Sequence, residues 1–330
     1  MKVLPVDRKV FVTPEKWPSA RKSCIFGTTI PALAAMVRKL PLSAFFLGFL
    51  RLIRVQNLLI VVGTQYLARV CLVGPEAGSP ATQWPQLLLD PALFLLSLST
   101  VCIAAAGYVI NDYFDIKIDI VNKPERVIIG RYLKRRVAMG AHQVLNVIGC
   151  LIGLYLSRWV FAVDVLSVTL LWFYSVYFKR QPFVGNLIVS FLTALSLIIL
   201  AVYYRRNTDL LLIYAAFSFC ISLVREIIKD MEDVKGDARF GCRTLPIVWG
   251  IRRTKYLLYG IIALFIATLF LIANSLDNLR LAWIFMILLI PIGWLVFRLV
   301  RADTKRDFNY LSSLCKLIML MGVVSMVWVI

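Results

Sequence analysis

The stretch Pro91-Ala-Leu-Phe-Leu-Leu-Ser-Leu-Ser-Thr-Val-Cys-Ile-Ala-Ala-Ala-Gly-Tyr-Val-Ile110 carries no charge, and Asn111-Asp112-Tyr113-Phe114-Asp115-Ile116-Lys117-Ile118-Asp119 follows it without a break. A bilayer core needs about 20 apolar residues of helix to cross it, so residues 91–110 reach from one side to the other and the acids stand at the exit. Runs of the same kind occupy 43–72, 134–157, 159–178, 186–204, 209–230, 254–274, 280–300 and 309–330. Proline and glycine fall near the breaks (Gly74, Pro75, Pro85, Pro124, Pro182, Gly236, Pro246), as helix ends require. The whole chain agrees: of 330 residues 60% are apolar and 17% charged, with mean hydropathy +0.81. A soluble domain has about a quarter of its residues charged. The expected fold is therefore all-α, a polytopic membrane protein of about nine transmembrane helices around a central cavity open to the cytoplasmic side.

Two regions follow from this pattern: a basic cytoplasmic segment over 1–42 and a transmembrane domain over 43–330. Residues 25–37 are too short to cross and contain Pro31, so they read as an interfacial segment, and no removable signal peptide is expected. The formal charge of +19 would suggest nucleic acid in a soluble protein. Here the loops explain it, since cytoplasmic loops collect Lys and Arg. Alternate connecting segments carry 29 basic residues on one side and four on the other (Arg158, Arg205, Arg206, Arg280). The expected layout has the N-terminus in the cytoplasm, the chain integral to a prokaryotic cytoplasmic membrane, and no nucleic-acid partner.

Thiol and imidazole chemistry are poorly provided. Seven cysteines are scattered without a CxxC pair and read as reduced, buried thiols. The one histidine, His142, reads as an uninvolved interfacial residue.

Carboxylates are concentrated instead. Nine of the 18 acidic residues lie in two stretches, 111–126 and 225–237. Asn111, Asp115 and Asp119 recur every four residues, which lines one helix face, and Asp230, Asp233 and Asp237 do likewise. Arg225 and Lys229 stand two turns and one turn before Asp233. Two carboxylate faces on one cavity repel unless a cation lies between them. Oxygen ligands without Cys or His favour a hard divalent ion, and magnesium takes a few carboxylates together with substrate phosphates. The candidate metal set is Asn111, Asp112, Asp115, Asp119, Asp230, Asp233 and Asp237, with Asp115, Asp119, Asp233 and Asp237 central to catalysis. Two Mg²⁺ bridging a diphosphate still leave the site negative, and Lys123, Arg126, Arg225 and Lys229 are placed to offset that.

A diphosphate with a long apolar tail belongs at such a boundary: a polyprenyl diphosphate, with its tail among the helices and membrane lipid around it. Loss of diphosphate from an allylic carbon leaves a carbocation, so the path must be dry and lined with aromatic faces. Tyr108, Phe114, Trp172, Tyr174, Tyr177, Phe183 and Phe191 are candidates for that lining. A bound metal would act as a Lewis acid on the leaving group, and no side-chain nucleophile is required.

These residues carry a resemblance. Asn111-Asp-x-x-Asp115-x-x-x-Asp119, followed by Asn122-Lys-Pro-x-Arg126, is similar to the first signature of the UbiA superfamily of intramembrane prenyltransferases. Arg225-Glu-Ile-Ile-Lys-Asp-x-Glu-Asp-x-x-Gly-Asp237 with Thr244-Leu-Pro246 resembles the second. Arg51-Leu-Ile-Arg54-Val-Gln-Asn57 resembles the opening motif, and Gly185-Asn186 also matches, the likeness running from about residue 45 to the end. It implies that Lys123, Arg126 and Lys229 grip diphosphate, while Arg54, Asn57, Arg225 and Asn186 help to line the substrate cavity. Within the superfamily, residues 225–237 most resemble the digeranylgeranylglyceryl phosphate synthases. That implies geranylgeranyl transfer to a lipophilic acceptor, geranylgeranylglyceryl phosphate. An aromatic acceptor is the alternative within the class. Arg131, Arg135, Lys179 or Arg180 could serve an acceptor phosphate. Val127 departs from the pattern, standing where many members have a second proline. A divalent-cation transporter is the alternative outside the class, but it would call for charges near mid-membrane and a repeated half.

Overall fold

The computed structural model describes residues 42–74, 84–122, 127–130, 132–275 and 279–329. Within them the chain is helical, with only an isolated bridge between Ile129 and Leu133. The order is α1 (Leu42–Leu52), α2 (Val55–Ala68), a π turn (Arg69–Val73), α3 (Trp84–Leu88), α4 (Pro91–Asn122), α5 (Arg135–Leu156), α6 (Arg158–Val176), α7 (Val184–Tyr204), α8 (Thr208–Arg239), α9 (Leu245–Ser275), α10 (Leu279–Val300) and α11 (Lys305–Ser325). Among the described residues eight helical segments are long and apolar enough to cross a membrane, and α10 adds the apolar stretch Met286–Val300. An apolar slab offers no water to backbone N–H and C=O groups, so each segment satisfies its own by helix.

Three expected boundaries change. The run 43–72 is not one helix: Arg54 takes a left-handed conformation (φ 53, ψ 54) and separates α1 from α2. The run 209–230 continues to Arg239, which puts the whole second acidic stretch on α8. The seventh run begins earlier, at Leu245, and bends at Gly250, whose φ of 80 only glycine adopts without strain. The segments 1–42, 25–37 and Cys24 fall essentially outside the described residues, as do Lys123, Arg126 and Arg131.

Helix α8 is central. On one side Val224, Ile227 and Ile228 pack with Leu258 and Ile262 of α9, Leu295 and Leu299 of α10, and Leu311 and Ile318 of α11. On the other, Leu211 and Tyr214 join Leu197 and Leu200 of α7, Leu93 and Leu96 of α4, and Leu72. A third cluster, Leu52, Val109, Ile129, Leu133 and Ala138, fastens the segment after α4 onto α1, α4 and α5. Side chains buried on both flanks hold α8 rigidly. The acids at its end are therefore positioned by packing along its whole length.

A buried carboxylate joins three of the helices. Asp164 of α6 is 2% exposed and its Oδ2 accepts from Ser99 Oγ of α4 at 2.7 Å. Gly153 of α5 makes room for it, since a Cβ there would stand 1.9 Å from that oxygen. The described cysteines are free; Cys71, Cys102, Cys242 and Cys315 are buried, whereas Cys150 and Cys220 are only partly so. His142 is buried, with Nδ1 3.0 Å from Ala106 O, and so fastens α5 to α4.

Candidate active site

The acidic face of α4 is completed by residues from elsewhere in the chain. Because Arg54 breaks the first run, its guanidinium turns towards α4: Nη2 donates to Asp112 Oδ1 at 2.8 Å, and the group lies 4.8 Å over the Tyr108 ring. A non-glycine residue in the left-handed region costs about 1–2 kcal/mol, and this contact, to a guanidinium 41% exposed, offsets part of it. Asn57, one turn into α2, donates to Tyr108 Oη at 3.4 Å. Deeper on the same face, Asp115 is 4% exposed and paired with Lys179 Nζ, which also donates to Asn111 Oδ1 at 3.1 Å. Burial opposes the Lys179 charge, but the Asp115 carboxylate outweighs it and holds the ammonium above the usual lysine range.

Lys179 reaches this position through Gly185. A Cβ at Gly185 would meet Phe178 O at 3.0 Å and Lys179 Cα at 3.2 Å, so only glycine lets the start of α7 close against the turn that carries Lys179. The next residue, Asn186, then donates from Nδ2 to Asp230 Oδ2 at 2.8 Å on α8. The Gly185-Asn186 pair thus serves both acidic faces, its first residue through Lys179 and its second directly.

On α8, Glu226 accepts from Arg225 Nη1 at 2.7 Å and from Lys229 Nζ at 3.1 Å. It is a buried residue in contact with both bases. Glu232 has a different one: it accepts from Asn309 Nδ2 of α11 at 3.0 Å. Asp230, Asp233 and Asp237 share the helix through to its last turn.

The two faces belong to one site. Helices α4 and α8 are in contact. Arg54 acts on Asp112 and Asp119 of α4 and on Glu226 of α8. The connection after α8 also returns to the Lys179 turn, where Arg243 N–H donates to Arg180 O at 2.9 Å. Val127 lines a cleft of about 10 Å³ with Asp112 and Asp119. Among the expected aromatics, Phe114 packs edge-on to Trp172, whereas Tyr177 is 58% exposed.

Among the described residues no three His, Cys, Asp or Glu side chains are gathered closely enough to cage a metal by themselves. The carboxylates are instead spread along two helix faces and matched with Arg54, Lys179 and the Asn186 amide. An all-oxygen donor set of this kind fits magnesium, which keeps waters and binds through one or two carboxylates plus substrate phosphates. From the sequence, Lys179 is one of four bases that could serve an acceptor phosphate. The structure puts it on Asp115, and the signal for that was the close-packing Gly185 six residues on.

Comparison with known proteins follows this geometry. Residues 70–318 match the model of the UbiA prenyltransferase family. The digeranylgeranylglyceryl phosphate synthase of Methanothermobacter thermautotrophicus is 37% identical over 204 residues, 62% of this chain and 69% of that protein. That of Sulfurisphaera tokodaii is 34% identical over 193 residues, 58% of this chain and 69% of its own. Among solved structures, a digeranylgeranylglyceryl phosphate synthase superposes with TM-score 0.66 at 24% identity, over 86% of this chain and 97% of that one. A UbiA homologue from Archaeoglobus fulgidus bound to GPP and Mg²⁺ superposes with TM-score 0.59 at 14% identity, over 84% and 99%. At these identities the two structures speak to the fold.

Proposed function

This chain belongs to the UbiA prenyltransferase family and is an integral membrane protein, and on that premise we propose that it transfers a geranylgeranyl group from its diphosphate to a hydroxyl of geranylgeranylglyceryl phosphate. The observation that carries the reading is a pair of acidic faces on two contacting helices, one matched by Lys179 and Arg54 and the other by the Asn186 amide. The named relatives, at 34% and 37% identity, support the choice of acceptor. Membership in a prenyltransferase family removes the reason for a cation transporter.

Each group has a place in this scheme. Asn111, Asp112, Asp115, Asp119, Asp230, Asp233 and Asp237 would hold Mg²⁺, which when bound supplies Lewis acidity to the leaving diphosphate. Lys179, Lys229 and Arg225, with Lys123 and Arg126, would take the phosphate oxygens. Tyr108, Phe114, Trp172 and Tyr174 keep water from the allylic carbon and offer ring faces to its developing charge. The bond from that carbon to diphosphate oxygen breaks, its electron pair leaves with the diphosphate, and the acceptor oxygen forms the ether and gives up its proton. The imbalance of 29 basic residues to four supports an acidic face and N-terminus on the cytoplasmic side of a prokaryotic cytoplasmic membrane.

The test is a competition. Purified protein is given labelled geranylgeranyl diphosphate with geranylgeranylglyceryl phosphate, 4-hydroxybenzoate and dihydroxynaphthoate. Labelled diether phosphate alone is the expected product. A labelled aromatic product would keep the chemistry and overturn the acceptor, and no product with any of the three would overturn both.

A further inference from the structure

Helices α4 and α6 meet at three evenly spaced points. Ser99 of α4 meets Asp164 of α6, with Ser99 Oγ 2.7 Å from Asp164 Oδ2. Gly107 of α4 receives Leu171 of α6, since a Cβ there would stand 2.8 Å from the leucine Cδ2. Asp115 of α4 receives Lys179, in the turn that follows α6. The steps are eight and eight residues on α4, seven and eight on α6. Both helices therefore run in the same direction, and the contacts recur about every two turns along one seam. Its last member belongs to the acidic site, and its first lies about 24 Å away along α4 at roughly 1.5 Å per residue.

The first contact has a proton to account for. Ser99 Oγ also stands 2.9 Å from the Gly149 carbonyl of α5. A hydroxyl has one proton to give and a carbonyl has none. If Ser99 gives its proton to Asp164, oxygen lone pairs face each other across the contact with Gly149. If Ser99 gives it to Gly149, the 2.7 Å contact needs a proton on Asp164. Only the second arrangement places a proton in both contacts. The surroundings agree with it. Asp164 is buried, and among the described residues no base pairs with it and Ser99 is its hydrogen-bond partner. A carboxylate with a single neutral donor is costly in an apolar slab, and a carboxylic acid is far less so.

We propose that Asp164 is a neutral carboxylic acid donating to Ser99, and that it is a positioning residue, setting the register of α6 on α4 and so delivering Lys179 to Asp115. A buried polar contact specifies register where apolar side chains tolerate a slide. Gly107 lets the seam close, but its partner is a leucine and fixes no direction. A slip of one residue would move Lys179 about 1.5 Å along the axis and turn it through about 100°, which takes the ammonium off Asp115. The effect on turnover rests on the prenyl-transfer reading; the effect on register does not.

The full-length protein, Asp164→Asn, Asp164→Leu, Lys179→Met and the double variant Asp164→Leu/Lys179→Met are placed in nanodiscs. Asparagine keeps a donor for Ser99, and leucine keeps the bulk without one. Should Asp164→Leu not fold, Ser99→Ala replaces it throughout. The infrared difference between wild type and Asp164→Asn should contain a carboxylic-acid C=O stretch that shifts in heavy water; a carboxylate band in its place would overturn the neutral acid. Thermal unfolding tests the register. Distant sites act additively unless a shared element couples them, so the fall in midpoint caused by Lys179→Met should be about half as large, or less, once Asp164 is leucine. Equal falls in both backgrounds would overturn the positioning role. Rates of labelled ether product read the same coupling. Asp164→Leu should lower kcat/KM about 10–100-fold, the scale of a small misplacement, but add little to the loss in Lys179→Met, while Asp164→Asn stays near wild type. A wild type that forms no ether product would end the prenyl-transfer reading, and the infrared band and the midpoints would still decide the role of Asp164.

Discussion

Replacing Lys179 by methionine removes the ammonium that joins the acidic face of α4 to the start of α7 while keeping the length of the side chain. Breaking a buried ion pair by removing one partner costs about 3–5 kcal/mol, because the other charge stays behind in a dry place. Asp115 is 5% exposed but the Lys179 side chain is 31% exposed, so part of the loss is recovered from solvent and about 2–3 kcal/mol is expected. The double variant Lys179→Met/Asp115→Asn leaves no orphan charge and should regain most of that stability. Catalysis should behave differently. Losing one charged contact to a leaving diphosphate costs about 10²–10³ in turnover, and the double variant also lacks a carboxylate assigned to magnesium. Thermal unfolding in detergent and initial rates of labelled ether product, read on the same preparations, separate the two effects. Stability that recovers in the double variant while turnover stays lost supports the assignment. A double variant with wild-type turnover would refute it and leave Lys179 a structural clamp.

Removing divalent ions with a chelator should abolish product formation, and adding Mg²⁺ should restore it; unchanged turnover in chelator-treated membranes would end the metal reading. Asp237→Asn changes one oxygen of a carboxylate in the last turn of α8 and should lower turnover by orders of magnitude with the unfolding midpoint little moved. Asn186→Leu deletes the 2.8 Å bond to Asp230 and should cost about 10–100-fold in activity or Mg²⁺ affinity, the usual effect of losing a group that orients a metal ligand. Gly153→Ala drives a methyl group to 1.9 Å from Asp164 Oδ2 and should sharply reduce the yield of folded protein, read by size-exclusion chromatography, whereas Gly140→Ala, with open space around its Cβ position, should not.

Much of the membrane architecture was legible because its driving force is written residue by residue: an apolar slab admits only long apolar helices. The acidic faces were legible too, since Asn111, Asp115 and Asp119 declare a helical period and α4 does run through them to Asn122. What sequence could not carry was the break at Arg54. No proline or glycine marks it; a run of apolar residues simply bends where a guanidinium finds Asp112 across the bundle. The contact of Lys179 with Asp115 was hidden for a related reason. A lysine at the end of a span is what topology leads one to expect, and only the close approach at Gly185 distinguishes it. Asp164 passed unnoticed in an otherwise apolar helix. Its partners, Ser99 and Gly153, lie on two other helices, and no local pattern relates them.

The charge arrangement also bears on how the site is entered. Carboxylates at the end of a membrane helix are costly when unmatched, and here each described contact matches one: Arg54 for Asp112, Lys179 for Asp115, the Asn186 amide for Asp230. A diphosphate brought in with its own counter-ions adds negative and positive charge together, so Lys179 and Arg54 become free to turn from carboxylate to phosphate without stranding a buried charge. Bare diphosphate adds only negative charge beside an already acidic face and is repelled. On the proposed reading, the pairing that matches these carboxylates would also favour substrate that arrives with its cations, on helices packed on both sides of α8.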